Sequence, residues 1–168
     1  MTRFFNPVNF ITMKTKMEAM ASERSKYWQT ETTSAITDAY TGSHILLPDG
    51  YQINRSNGKT WIGRSTDGQA VLLVERAAPA EHVIPTMLSE GELDLLLVST
   101  RLAIDQITPS IIGIEACGEL AGREVQVYLS RVAVSDKISY LVLTAGETGM
   151  DAGILKEDAL NVARRFVQ

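Results

Sequence analysis

One cysteine, Cys117, stands in a chain of 168 residues, so no intrachain disulfide can form. That excludes a disulfide-stapled secreted scaffold and makes the reducing cytoplasm the expected compartment. The apolar neighbours Ile114 and Ala116 suggest that Cys117 is a small buried hydrophobe. Histidine is nearly as scarce. His44 and His82 lie in separate segments, and neither takes part in a metal-ligand spacing or a Ser-His-Asp order. A basic excess is also missing: Lys and Arg number 16 against 20 Asp and Glu, giving a net charge of −4 and a pI of about 5.2. Neutralising a phosphate backbone demands the opposite balance, so nucleic acid is not an expected partner.

Long apolar runs are absent too. The stretch FFNPVNFITM after Arg3 is interrupted by Asn6, Pro7 and Asn9, and Lys14, Lys16 and Glu18 separate it from Ala19-Met20-Ala21. It therefore reads as neither a signal peptide nor a span, and no later segment supplies the roughly 20 apolar residues that membrane insertion requires. No phosphate loop is present either. Gly146-Glu147-Thr148-Gly149-Met150-Asp151-Ala152-Gly153 puts glycines before a helix, but Glu147 and Asp151 repel a phosphate. No cofactor, metal or catalytic residue is assigned on these grounds.

What is present is a soluble globular composition, 45% hydrophobic and 21% charged, with enough chain for one domain. Residues 1–41 differ from the rest and read as an amino-terminal arm, helical or partly disordered, ahead of a single domain over 42–168. Within the arm, Met13, Met17, Met20, Arg24, Tyr27 and Trp28 fit an amphipathic helix, packed on its own domain or docked to a partner. Ser34 to Gly42 reads as a linker.

Strand signals then follow. His44 to Leu47 is a short strand stopped by Pro48-Asp49-Gly50, and Lys59 to Arg64 and Gln69 to Arg76 flank a short Gly-containing connection as an antiparallel pair. Pro79 to Asp105 carries the longest helical pattern, with Leu88, Leu93, Leu96, Leu97 and Ile104 near one face. Ile111 to Ala145 is an antiparallel meander. In its middle strand Val125, Val127 and Leu129 alternate with Glu124, Gln126, Tyr128 and Ser130. Apolar residues on both faces of Ile138 to Leu143 mark a central strand covered on both sides. A last helix over about Ile154 to Phe166 lines up Leu155, Ala159, Val162 and Phe166, with Glu157 and Asp158 near its start and Arg164 and Arg165 near its end.

This order of elements, with the strand ending in Leu47-Pro48-Asp49-Gly50-Tyr51, the Gly122 turn before an alternating strand and the final helix carrying Phe166, resembles one shared fold. It is that of the photosystem II extrinsic protein PsbP, the Ran-binding Mog-type proteins and the bacterial DcrB-like proteins, including the Eag chaperones of type VI secretion. The resemblance covers 42–168. It implies an α+β (α/β sandwich) fold with an antiparallel sheet of about five to six strands covered by helices, and a binding activity rather than an enzymatic one.

Three functions follow as expectations. The first is a non-catalytic protein-binding module, an adaptor or a chaperone for a bacterial secretion effector. Its partner is a protein, including a hydrophobic segment of such an effector, with a homodimer left open. Its contact residues are Gln126, Tyr128 and Ser130 on the sheet face, together with Trp61 on the hairpin. The second is an enzyme in which His44, His82, Glu115 and Cys117 converge in space. The third is a small-molecule or lipid carrier using a pocket between helix and sheet.

Overall fold

The computed structural model describes residues 28–78, 87–90, 93–100 and 104–167, with the backbone alone at 77, 87–90 and 93–100. Residues 29–38, expected within the arm and linker, are extended as β1 (Gln29–Thr33) and β2 (Ala35–Asp38). Four threonines and Ile36 in this stretch suit a pleated, half-buried surface. The expected Met13–Trp28 helix lies outside the described residues except for Trp28. β3 (Ser43–Leu46) pairs with β2 as a separate two-stranded sheet. The Pro-Asp-Gly turn then leads into β4 (Tyr51–Ser56), and β5 (Thr60–Ser65) and β6 (Ala70–Ala77) form the expected antiparallel pair.

The helix expected over Pro79 to Asp105 is not formed where the chain is described. β7 (Met87–Glu90) and β8 (Leu93–Thr100) pair antiparallel there, and β8 adds to β10 (Ile111–Leu120). Two prolines and Gly91 interrupt the helical pattern, whereas Leu93–Thr100 is a strand-length apolar run ending in Val98, Ser99 and Thr100. The unpaired edge of β10 offers such a run a hydrogen-bonded ladder, and tertiary pairing overrides a modest helix preference. Residues 79–86, 91–92 and 101–103 of the expected helix lie outside the described residues.

β9 (Asp105–Thr108) also pairs with β10, and β11 (Arg123–Ala133) and β12 (Ser139–Glu147) complete the expected meander. The main sheet has ten strands in the order β1-β4-β5-β6-β12-β11-β10-β8-β7, with β9 beside β10, and its pairings are antiparallel. Helix α1 (Ala152–Arg165) is the one helix among the described residues. The protein is therefore mostly β. This corrects the expected sandwich of five to six strands covered by helices, because the segment counted as the main covering helix is itself part of the sheet. No helix among the described residues is long and apolar enough to cross a membrane.

The core lies on both faces of the central strands. On one face, Leu72, Val74, Tyr128, Val132, Tyr140 and Val142 pack with Leu155, Ala159, Val162 and Phe166 of α1 and with Ile36, Ile45 and Leu47 of the β2–β3 segment. On the other, Val71, Leu73, Val125, Val127, Leu129, Leu141 and Leu143 form a second buried cluster. β12 is buried from Ser139 to Gly146, as its apolar residues on both faces required. Burying a large apolar side chain contributes about 1.5–3 kcal/mol, so α1 and the β2–β3 sheet are held mainly by these contacts.

Candidate functional site

The start of α1 is set by three polar devices, two of which reach it from the sheet. Asp151 caps the helix, accepting from the Gly153 amide at 2.8 Å. Gln126 Nε2 on β11 donates to the Thr148 and Met150 carbonyls, each at 2.7 Å. Thr144 Oγ1 on β12, fully buried, donates to the Leu155 carbonyl at 2.8 Å. The acids expected to complement the helix start, Glu157 and Asp158, fall further in, and the first turn holds no acidic side chain. Asp158 instead accepts from Tyr51 Oη at 2.9 Å. Burial and the neighbouring Glu157 raise its pKa, outweighing the lowering effect of that bond.

Where α1 begins, the sheet face that it covers opens into a groove of about 270 Å³. Its walls are Glu115 and Cys117 of β10, Gln126 and Tyr128 of β11, and Ala152 and Leu155 of α1. The cross-strand pairs are Glu115 with Tyr128 and Cys117 with Gln126. Beyond them toward the β10–β11 turn come Glu119 and Glu124, directly opposite each other and both exposed. That turn is the two-residue pair Ala121-Gly122, with φ of 51° and 80°.

Cys117 is exposed, which corrects the expectation of a buried thiol. The apolar neighbours that suggested burial, Ile114 and Ala116, point to the opposite face of the strand, where they belong to the buried surface. The four expected contact residues do not form an open surface. Tyr128 is 1% exposed beneath α1, and its hydroxyl sits over Gly113, where an added Cβ would lie 1.9 Å from it. Burial, with the charges of Asp105 and Glu115, pushes its pKa up to about 12. Ser130 is buried and donates to the Ile112 carbonyl at 3.2 Å. Gln126 is half-buried and occupied by the loop before α1. Trp61 is 2% exposed, packed in the core and at the foot of a second groove of about 400 Å³ with Gln29, Glu31 and Thr33. Gln126 and Tyr128 thus meet at the first groove, while Trp61 and Ser130 lie apart from it.

Of the residues weighed for catalysis, Glu115 and Cys117 share the groove. His44 is on β3, its Nδ1 2.9 Å from Thr37 Oγ1, and His82 lies outside the described residues. No cluster of three or more His, Cys, Asp or Glu placed to hold a metal occurs among the described residues.

Sequence reasoning missed one polar centre altogether. Asp38, at the end of β2, is fully buried. It accepts from Arg76 Nη1 and Tyr140 Oη, both at 2.5 Å, and from the Tyr40 amide at 3.0 Å. Tyr140 Oη also lies 2.8 Å from Thr41 Oγ1, and its ring stacks on Phe166 with centroids 4.0 Å apart. Arg76 lies over the Tyr40 ring and donates to the Gly58 carbonyl. Burial pushes the Asp38 carboxyl up, but these three hydrogen bonds and the guanidinium charge more than offset it, leaving its pKa below the usual value. The centre ties the β2–β3 sheet to β6, β12 and α1. Its only local sequence signal is a turn-like Asp38 to Gly42, since Arg76 and Tyr140 stand 38 and 102 residues away. No protein-family model matches the chain, and no curated protein does.

Proposed function

We propose that the chain is a non-catalytic protein-binding module, of the adaptor or chaperone kind, acting in the cytoplasm. One observation carries the reading: the groove at the start of α1, which is open, mixed in polarity and held in shape by Gln126, Thr144 and the Asp151 cap. A preformed recess with apolar walls and a polar rim suits an anchoring side chain from a partner. Further along α1 the contact with the sheet is closed by Ala159, Val162 and their sheet partners, so the recess is confined to the start of the helix.

The test uses Cys117 as the attachment point for a photo-crosslinker, since it is exposed on the groove wall. Irradiation in extract of the native host is expected to give one reproducible protein adduct. A Cys117→Ser, Val134→Cys variant, which moves the probe to the exposed β11–β12 turn, is expected to give none. Adducts that are absent, or the same from both positions, refute the reading.

A further inference from the structure

We infer that the groove receives a polypeptide segment in which one apolar side chain is flanked by lysines or arginines; this rests on the protein-binding reading above. The volume comes first. At about 270 Å³ the recess falls just below the roughly 300–1,000 Å³ of small-molecule pockets, and its lining includes the buried Tyr128 and Leu155 together with Ala152. That matches a single inserted side chain.

Charge then selects what flanks it. Glu115 lies on the groove wall, and Glu119 and Glu124 continue the same face two residues further along each strand. Like charges directly opposite on a sheet are unfavourable. Neither Glu119 nor Glu124 has an ion-pair partner among the described residues, and Arg123 beside them is engaged by Glu147 at 3.3 Å. Asp151 adds a fourth carboxylate next to Ala152. The nearby cation, Lys156, is drawn over the Tyr128 ring, 5.9 Å from its centroid. A cationic segment relieves the Glu119–Glu124 repulsion on binding. A second copy of this chain docking through the same face instead brings these glutamates against their own copies, so self-association here is disfavoured.

The probes are three seven-residue peptides: a central leucine between paired lysines, the same peptide with glutamates for lysines, and the lysine peptide with serine for leucine. The readout is the rate at which iodoacetamide alkylates Cys117, the one thiol in the chain. The lysine–leucine peptide is expected to protect Cys117 at a concentration at least about tenfold below either control, the size of effect that a few rim charge pairs and one buried side chain produce together. Protection should weaken as salt is raised. In Glu119→Lys, Glu124→Lys the preference should turn toward the glutamate peptide, and Glu119→Lys alone should raise the denaturation midpoint by removing the like-charge pair. Three results overturn the inference: equal protection by all three peptides, protection by the serine control as strong as by the leucine peptide, or protection by magnesium or calcium chloride alone at matched ionic strength. If Cys117 still crosslinks a protein but the peptides do not discriminate, the inference fails alone. If the crosslink is also missing, the protein-binding reading fails with it.

Discussion

Replacing Asp38 with alanine removes the acceptor shared by Arg76, Tyr140 and the Tyr40 amide. Breaking a buried ion pair by deleting one member costs about 3–5 kcal/mol when the survivor is left without compensation. Here each survivor keeps something. Arg76 retains the Gly58 carbonyl and the Tyr40 ring and is partly exposed, while Tyr140 retains Thr41. The expected loss for Asp38→Ala therefore sits at the low end, about 3 kcal/mol. Asp38→Asn preserves the shape and the acceptor toward Arg76 and the Tyr40 amide, and loses about 1–2 kcal/mol, the scale of charge assistance in such bonds. Urea denaturation near neutral pH, followed by far-UV circular dichroism, measures both. The pH dependence supplies a second check. Because the folded-state pKa of Asp38 is depressed, its contribution is present above the unfolded value of about 3.9 and is lost as pH falls through the lower folded value. The wild-type protein should lose stability over that acidic window more steeply than Asp38→Asn. Asp158 works in the opposite direction, since its raised pKa is a cost at neutral pH that acid relieves, so it does not produce this loss. A variant Asp38→Ala within about 0.5 kcal/mol of wild type would refute the account, because that is the ordinary range for a surface change.

The remaining predictions concern the turn, the groove wall and the helix start. Ala121 holds a positive φ in the two-residue β10–β11 turn, so Ala121→Asn or Ala121→Gly should raise stability by about 0.5–1 kcal/mol; a fall in the denaturation midpoint would count against the turn geometry. Gly113→Ala forces a Cβ into the Tyr128 hydroxyl and should cost at least about 2 kcal/mol. Tyr128→Phe removes a buried hydroxyl with no hydrogen-bond partner and should be neutral or slightly stabilising in the same denaturation assay. Asp151→Ala removes the cap of α1 and should cost about 1 kcal/mol, with faster amide exchange confined to the first turn of the helix.

The sequence by itself determined the elements whose partners are near in the chain. The meander from Ile111, the β5–β6 pair and the last helix all formed where period and turn residues placed them, because short Gly-containing connections leave adjacent strands few other ways to pair. It also marked β12 as covered on both faces. Tertiary structure decided three further matters. Leu93–Thr100 became a strand because the edge of β10 was there to receive it, which no count along 79–105 contains. Alternation in β11 separated Gln126, Tyr128 and Ser130 from Val125, Val127 and Leu129, but it does not say which face is covered. Both are: α1 lies over the first set, and among the described residues the end near Cys117, Glu119 and Glu124 stays exposed. The buried carboxylate of Asp38 is stable only because Arg76 and Tyr140 arrive from β6 and β12, a convergence set by strand order rather than by local sequence. The candidate groove is a product of the same kind, since it exists only because α1 starts at Ala152 and leaves the last part of the sheet face uncovered.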